Sequence, residues 1–129
     1  MTKTIKDVMS AQVHTINADL DLQTAQKMME KYQIRHLPVL ENKELIGVIS
    51  ERDIQIMAKN LNAMHDLKVE EVCSTDLYST SADASLFEVS THMAEEKIGS
   101  AVVVDEDDHV IGIFTTTDAL SALAASLSQ

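Results

Sequence analysis

Two short stretches of this 129-residue chain place a hydroxyl and a carboxylate three residues apart behind a glycine. They are "GVISERD", Gly47 to Asp53, and "GIFTTTD", Gly112 to Asp118. The pairs Ser50 with Asp53 and Thr115 with Asp118 admit two chemistries. As a capping box, with Asp where Glu or Gln is usual, the hydroxyl accepts from an orphan helix N–H and contributes ~1 kcal/mol. As a ligand site, the carboxylate accepts from two sugar hydroxyls and the Ser or Thr donates to a sugar or phosphate oxygen. The first N–H groups of a helix and its positive dipole end then favour phosphate. The readings are compatible, because one hydroxyl can cap a helix and face a ligand.

Other chemistry finds little support. His14, His36, His65, His92 and His109 show no ligand spacing such as i, i+4 on one helix, so no metal site is assigned. No histidine supports either hydroxyl as a nucleophile, so no catalytic residue is assigned and no cofactor is required. Acidic "DEDD", Asp105 to Asp108, reads as a solvated hairpin loop rather than an ion site. The lone Cys73 excludes an intramolecular disulfide and reads as a small buried apolar residue.

The two stretches close two copies of one repeat. At an offset of 64, Val8/Val72, Ser10/Ser74, Ala18/Ala82, Asp19/Asp83, Leu22/Leu86, Met29/Met93, Ile34/Ile98 and Val39/Val103 are identical. The second copy then gains one residue in "DEDDHV", and Ile46/Ile111, Gly47/Gly112 and Asp53/Asp118 follow at 65. An insertion between two apparent strands is what a hairpin loop tolerates. Regular identity over nearly the full length marks a duplication, with repeats at 1–64 and 65–129.

Each copy must build elements that hold its motif. A short apolar turn, "IKDVM" or "VEEVC", comes first, then an extended piece at 13–16 or 77–80. An amphipathic helix follows, with Leu22, Ala25, Met29 and Tyr32 on one face, matched by Leu86, Val89, Met93 and the stem of Lys97. Asp19 and Asp83 stand just ahead, where a cap or first-turn acid is favoured. The runs "LPVL" and "LIGVIS", like "AVVVD" and "VIGIFT", read as hairpin strands. Pro38 lacks an N–H and should open its strand or lie on an edge. A last helix carries Ile54, Met57, Ala58 and Leu61, or Leu120, Leu123, Ala124 and Leu127. The three leucines of the second helix are expected to pack on the sheet, with a partner-binding stripe as the alternative. The fold class is therefore α/β (α+β), two β-α-β-β-α repeats. A three-stranded sheet with helices on one face leaves apolar surface, which two copies packed with pseudo-twofold symmetry would bury.

Twice-written Gly-apolar-x-Ser/Thr-x-x-Asp at the close of such a unit resembles the cystathionine β-synthase (CBS) domain pair. "RHLPVLENKELIGVISERDI" and "IGSAVVVDEDDHVIGIFTTTDAL" carry the resemblance, which covers essentially the whole chain. It implies one potential adenosine-nucleotide site per copy. The first would comprise Thr15, Ile16, Arg35, His36, Leu37, Pro38, Ser50, Arg52 and Asp53. The second would comprise Ser79, Thr80, Ser100, Ala101, Val102, Thr115, Thr117 and Asp118. AMP, ADP, ATP, a dinucleotide or S-adenosylmethionine all suit a ribose-gripping Asp. The resemblance further implies a homodimer of flat, disc-like shape and a non-catalytic module, binding between its repeats and signalling to an effector protein in trans. The competing reading is a structural or dimerisation module whose motifs are only caps.

Charge separates the two sites. Residues 1–64 hold eight basic and eight acidic side chains, while residues 65–129 hold two basic and thirteen acidic ones. Arg35, His36 and Arg52 near the first motif correspond to Gly99, Ser100 and Thr117 near the second. Arginine can meet phosphate bidentately, so the first site is expected to hold phosphate and the second a less charged ligand or none. The net charge of −11 argues against a nucleic-acid duplex, and the absence of Trp with only two Tyr and two Phe argues against single-strand stacking. No apolar run approaches the ~20 residues of a membrane span, and the N-terminus lacks a signal-peptide stretch, so a cytoplasmic location is expected.

Overall fold

A computed structural model describes residues 3–128, except the side chain of Leu61, so that the expectation placed on this leucine lies outside the described residues. The chain divides into two compact units, one of residues 14–77 and one of residues 1–13 with 78–129. Each is described by itself.

In the unit of residues 14–77, β1 (Ile16–Asn17) leads to α1 (Leu22–Tyr32), then to the hairpin of β2 (His36–Glu41) and β3 (Glu44–Ser50). Helices α2 (Glu51–Met57), α3 (Leu61–Asp66) and α4 (Val69–Val72) follow. β1 runs parallel to β2, and β2 antiparallel to β3, in the order β1-β2-β3. Leu22, Ala25 and Met29 of α1 meet Leu37, Val39, Ile49 and Ile54 in the core. Tyr32, assigned to the same face, stays partly exposed and stacks on His14 with ring centroids 3.6 Å apart.

The second unit repeats this plan with β4 (Ser79–Thr80), α5 (Leu86–Glu96), β5 (Ser100–Val104), β6 (Val110–Thr115) and α6 (Thr116–Leu127), its strands in the order β4-β5-β6. Val89, Met93, Ala101, Val103 and Phe114 form its core.

The sequence repeat and the packed unit are offset by one segment. A turn of 3-10 helix, Ile5–Asp7, belongs with residues 78–129, and its equivalent α4 belongs with residues 14–77. Ile5 N–H donates to the Ala84 carbonyl and Lys6 N–H to Ala82. Val69 and Glu70 donate to Leu20 and Ala18, the same positions one repeat apart. Ile5 and Val69 are both fully buried, so each segment completes the core on which it docks. The packed units run 14–77 and 1–13 with 78–129, a division that differs from the sequence repeats at 1–64 and 65–129.

Four local expectations are corrected. The caps of α1 and α5 are Asp21 and Ser85, whose side chains accept from Thr24 and Glu88 N–H, rather than Asp19 and Asp83. Pro38 lies inside the central strand β2. It is tolerated because β1 begins pairing one residue late, at Ile16 with Val39. In the second unit Val102, which corresponds to Pro38, donates its N–H to the Tyr78 carbonyl, and pairing starts with Ser79 opposite Val102. The helix after Ser50 stops at Met57, and α3 starts afresh behind the Asn60 cap. Finally, Leu120, Leu123 and Leu127 do not pack on the sheet: all three are more than half exposed, and α6 has no buried residue. Phe114 fills that core from β6 instead, backed by the partly buried Ala119.

Candidate functional site

Both motifs sit where a strand ends and a helix starts, and both fold into the same box. Ser50 has extended backbone, φ −110° and ψ 161°, and caps α2. Its Oγ accepts from Asp53 N–H at 3.2 Å, while its own N–H and Oγ–H donate to Asp53 Oδ2 at 2.9 Å each. Thr115 caps α6 identically: its Oγ1 accepts from Asp118 N–H at 3.3 Å, and its N–H and Oγ1–H donate to Asp118 Oδ2 at 2.9 and 3.2 Å. Asp at the third helical position thus does what Glu or Gln does in the usual box.

In each unit a serine from the docked segment runs along the outer edge of the last strand. Ser74 and Val48 exchange N–H to carbonyl bonds of 2.9 and 3.0 Å, and Ser10 and Ile113 do the same at 2.9 and 3.0 Å. This approach explains the glycines. A Cβ on Gly47 would lie 2.5 Å from the Ser74 carbonyl oxygen, and one on Gly112 would lie 2.8 Å from Met9 sulfur and 3.1 Å from Ser10 oxygen. The crowding is against the docked segment, and neither glycine has positive φ.

Strand register sorts the expected site residues by face. His36 lies opposite Ser50 and Pro38 opposite Val48, which puts His36, Pro38 and Ser50 on one face of the sheet. Leu37 opposite Ile49, and Ile16 opposite Val39, belong to the helix-covered core and are at most 2% exposed. Thr15 precedes Ile16 and alternates to the His36 face. In the second unit Ser79, Ser100, Val102 and Thr115 share a face, whereas Thr80 and Ala101 align with the core residues Val103 and Phe114. Ile16, Leu37 and Ala101 therefore turn their side chains into the cores, the half-buried Thr80 faces the same way on β4, and all four offer the motif face backbone alone. Thr117 is exposed, one residue before Asp118.

Charge at the first motif converges on Asp53. Burial pushes the His36 imidazole below its ordinary value, with Asp53 opposing that shift and Arg35 adding to it. Burial, followed by the Asp53 and Glu70 carboxylates, raises the Cys73 thiol, which fits an inert packing role. Arg52 is exposed on the first turn of α2. Arg35 is exposed too, and lines a cleft of about 380 Å³ between α1 and α2 with Gln26, Glu30, Glu51 and Gln55. Its carbonyl accepts from Glu51 N–H at 2.8 Å, which ties β2 to the start of α2.

One group at the motifs escaped the sequence reading. Ser10 donates its hydroxyl to Asp118 Oδ1 at 3.3 Å, a contact hinted at only by the Ser10/Ser74 identity. Among the described residues Asp53 Oδ1 has no such partner. In the acidic hairpin, Asp105 Oδ1 accepts from the N–H groups of Asp107 and His109 at 2.9 Å each. These bonds hold its carboxyl below the usual value and account for the loop as a turn. Asp105, Asp107 and His109 do lie close enough to share an ion, but all three are solvent-facing.

A family model described as "CBS domain" matches residues 5–57 and 69–125. The chain is similar to the CBS domain-containing protein YhcV of Bacillus subtilis, 31% identical over 114 residues that span 88% of this chain and 81% of YhcV. It is also 31% identical over 125 residues to the uncharacterized protein MJ1232 of Methanocaldococcus jannaschii, covering 97% of this chain and 41% of that protein. It spans between 21% and 24% of the archaeal homoserine O-acetyltransferases it also matches. Among solved structures, the CBS domain pair of protein MJ0100 in complex with 5′-methylthioadenosine and S-adenosyl-L-methionine superposes with TM-score 0.81 at 28% identity, covering 94% of this chain and 99% of that one.

Proposed function

The chain belongs to the CBS domain family, and on that premise we propose that it is a non-catalytic regulatory module for an adenosine-containing ligand. The observation that carries the reading is the twice-built box of hydroxyl and carboxylate, Ser50 with Asp53 and Thr115 with Asp118. The fold satisfies each helix start internally and still keeps an acid and a hydroxyl together on the strand face opposite the core. Asp53 accepts from the ribose hydroxyls through its unengaged Oδ1. Arg52 supplies positive charge and the neutral His36 ring an N–H donor for phosphate at the first motif, where the second has Thr117 and Ser100. Support for the ligand class comes from the MJ0100 domain pair, whose structure holds 5′-methylthioadenosine and S-adenosyl-L-methionine. AMP, ADP, ATP and S-adenosylmethionine are the candidates.

The ligand biases the arrangement of a homodimer, and an effector protein in the cytoplasm reads the change. The exposed Leu120, Leu123 and Leu127 stripe of α6 supplies apolar surface for the dimer. Thermal melts with AMP, ADP, ATP, NAD and S-adenosylmethionine test the reading. A ligand at 100 times its dissociation constant adds about 2.7 kcal/mol to the folded state. No shift with any of them would leave the motifs as helix caps in a structural module.

A further inference from the structure

The two serines of the docked segments hold equivalent places and do different things. Ser10 and Ser74 pair with Ile113 and Val48 through the same two backbone bonds, with lengths matching to within 0.1 Å. Their side chains differ. Ser10 Oγ donates to Asp118 Oδ1 at 3.3 Å, over a sequence separation of 108 residues. Asp118 Oδ2 already accepts from the N–H and hydroxyl of Thr115, so both oxygens of this carboxylate are engaged. Asp53 Oδ2 carries the same two bonds from Ser50, yet among the described residues no hydroxyl reaches Asp53 Oδ1.

We propose that Ser10 occludes the second motif. It holds the carboxylate oxygen that a ribose diol needs, and so makes the first motif the one that fills first. This rests on the nucleotide reading above and is independent of the charge difference between the motifs. A vicinal diol donates two hydroxyls, and a carboxylate with one spare oxygen accepts them without breaking a bond. At Asp118 the incoming diol must first displace Ser10. Ser10 is exposed, so its hydroxyl turns to water when displaced. The cost is that of one hydrogen bond to a charged acceptor at the surface, roughly a three- to ten-fold loss of affinity. The docked N-terminal segment thereby tunes a site built by the last strand and helix of the other repeat.

The test has two arms. Double-mutant cycles read by urea denaturation compare Ser10→Ala with Asp118→Ala, and Ser74→Ala with Asp53→Ala. The cycle cancels the loss of each cap and isolates the pair. Coupling for Ser10 with Asp118 and none for Ser74 with Asp53 is expected. No coupling for the first pair overturns the proposal. In the second arm AMP is titrated into Asp53→Ala, which leaves the second motif alone, with and without Ser10→Ala. Tightening of roughly three- to ten-fold on removing Ser10 is expected. Unchanged or weaker binding would make Ser10 a positioning group or a bystander, and overturns occlusion. A wild-type chain that binds no AMP overturns the nucleotide reading itself, whereas wild-type binding indifferent to Ser10 overturns occlusion alone.

Discussion

Substituting Gly47 by alanine isolates the contact between a docked segment and the strand that carries a motif. The added Cβ would sit 2.5 Å from the Ser74 carbonyl oxygen and 3.0 Å from Cys73 Sγ. Ordinary contact begins near 3.4 Å, so the carbonyl must retreat by about an ångström. That oxygen accepts from Val48 N–H at 3.0 Å, and Ser74 N–H returns a 2.9 Å bond to the Val48 carbonyl. Losing or stretching both costs about 2 kcal/mol, and the overpacking itself adds 1 kcal/mol or so. Gly47→Ala is therefore expected to destabilise by about 3 kcal/mol, near 10 °C in melting temperature for a chain of this size. Gly112→Ala is the internal control. Its first obstacle is Met9 sulfur at 2.8 Å, the adaptable end of a flexible side chain, and the Ser10 oxygen lies at 3.1 Å. It is expected to cost about 1 kcal/mol. Cys73→Ala should not rescue Gly47→Ala, because the primary clash is with backbone. Urea denaturation of the four proteins reads the result. A Gly47→Ala cost equal to or below that of Gly112→Ala, or full rescue by Cys73→Ala, would refute the reasoning.

Removing the caps by Ser50→Ala or Thr115→Ala should each cost about 1 kcal/mol by the same denaturation assay. Because burial depresses the His36 pKa in the folded state, the unfolded chain takes up the proton first. Stability contributed by the neutral ring is thus full above about pH 6.5 and declines as pH falls from there to the folded value. His36→Gln should flatten that part of the urea-midpoint profile. Placing charge on the exposed stripe with Leu120→Asp and Leu123→Asp should give a monomer in sedimentation while shifting the melting temperature by less than a few degrees. A dimer that persists would move the interface elsewhere.

The repeat was legible because duplication leaves identities in register, and the motif boxes were legible because Ser/Thr-x-x-Asp is a local pattern with local geometry. What the sequence hid is non-local. Nothing around Ile5 or Val69 says that each docks on the other repeat, at Ala84 and Leu20, since apolar turns look alike wherever they land. Asp19 and Asp83 read as a cap or first-turn acid from their place just ahead of each helix, yet the caps are the non-identical Asp21 and Ser85, which stand directly before the first helical residue. A sound rule assigns Pro38 to a strand start or an edge, and the sheet meets that rule differently, by delaying β1. The α6 leucines follow a helical period that a core face and a docking face share. The direction in which Ile16, Leu37, Thr80 and Ala101 point depended on strand register, which the motif alone does not fix.

Isothermal titration of AMP into the wild type, Asp53→Ala and Asp118→Ala tests the central claim most directly. The account predicts that Asp53→Ala abolishes the tighter binding and that Asp118→Ala retains it. Equal loss from the two substitutions, or no binding to the wild type, would contradict it.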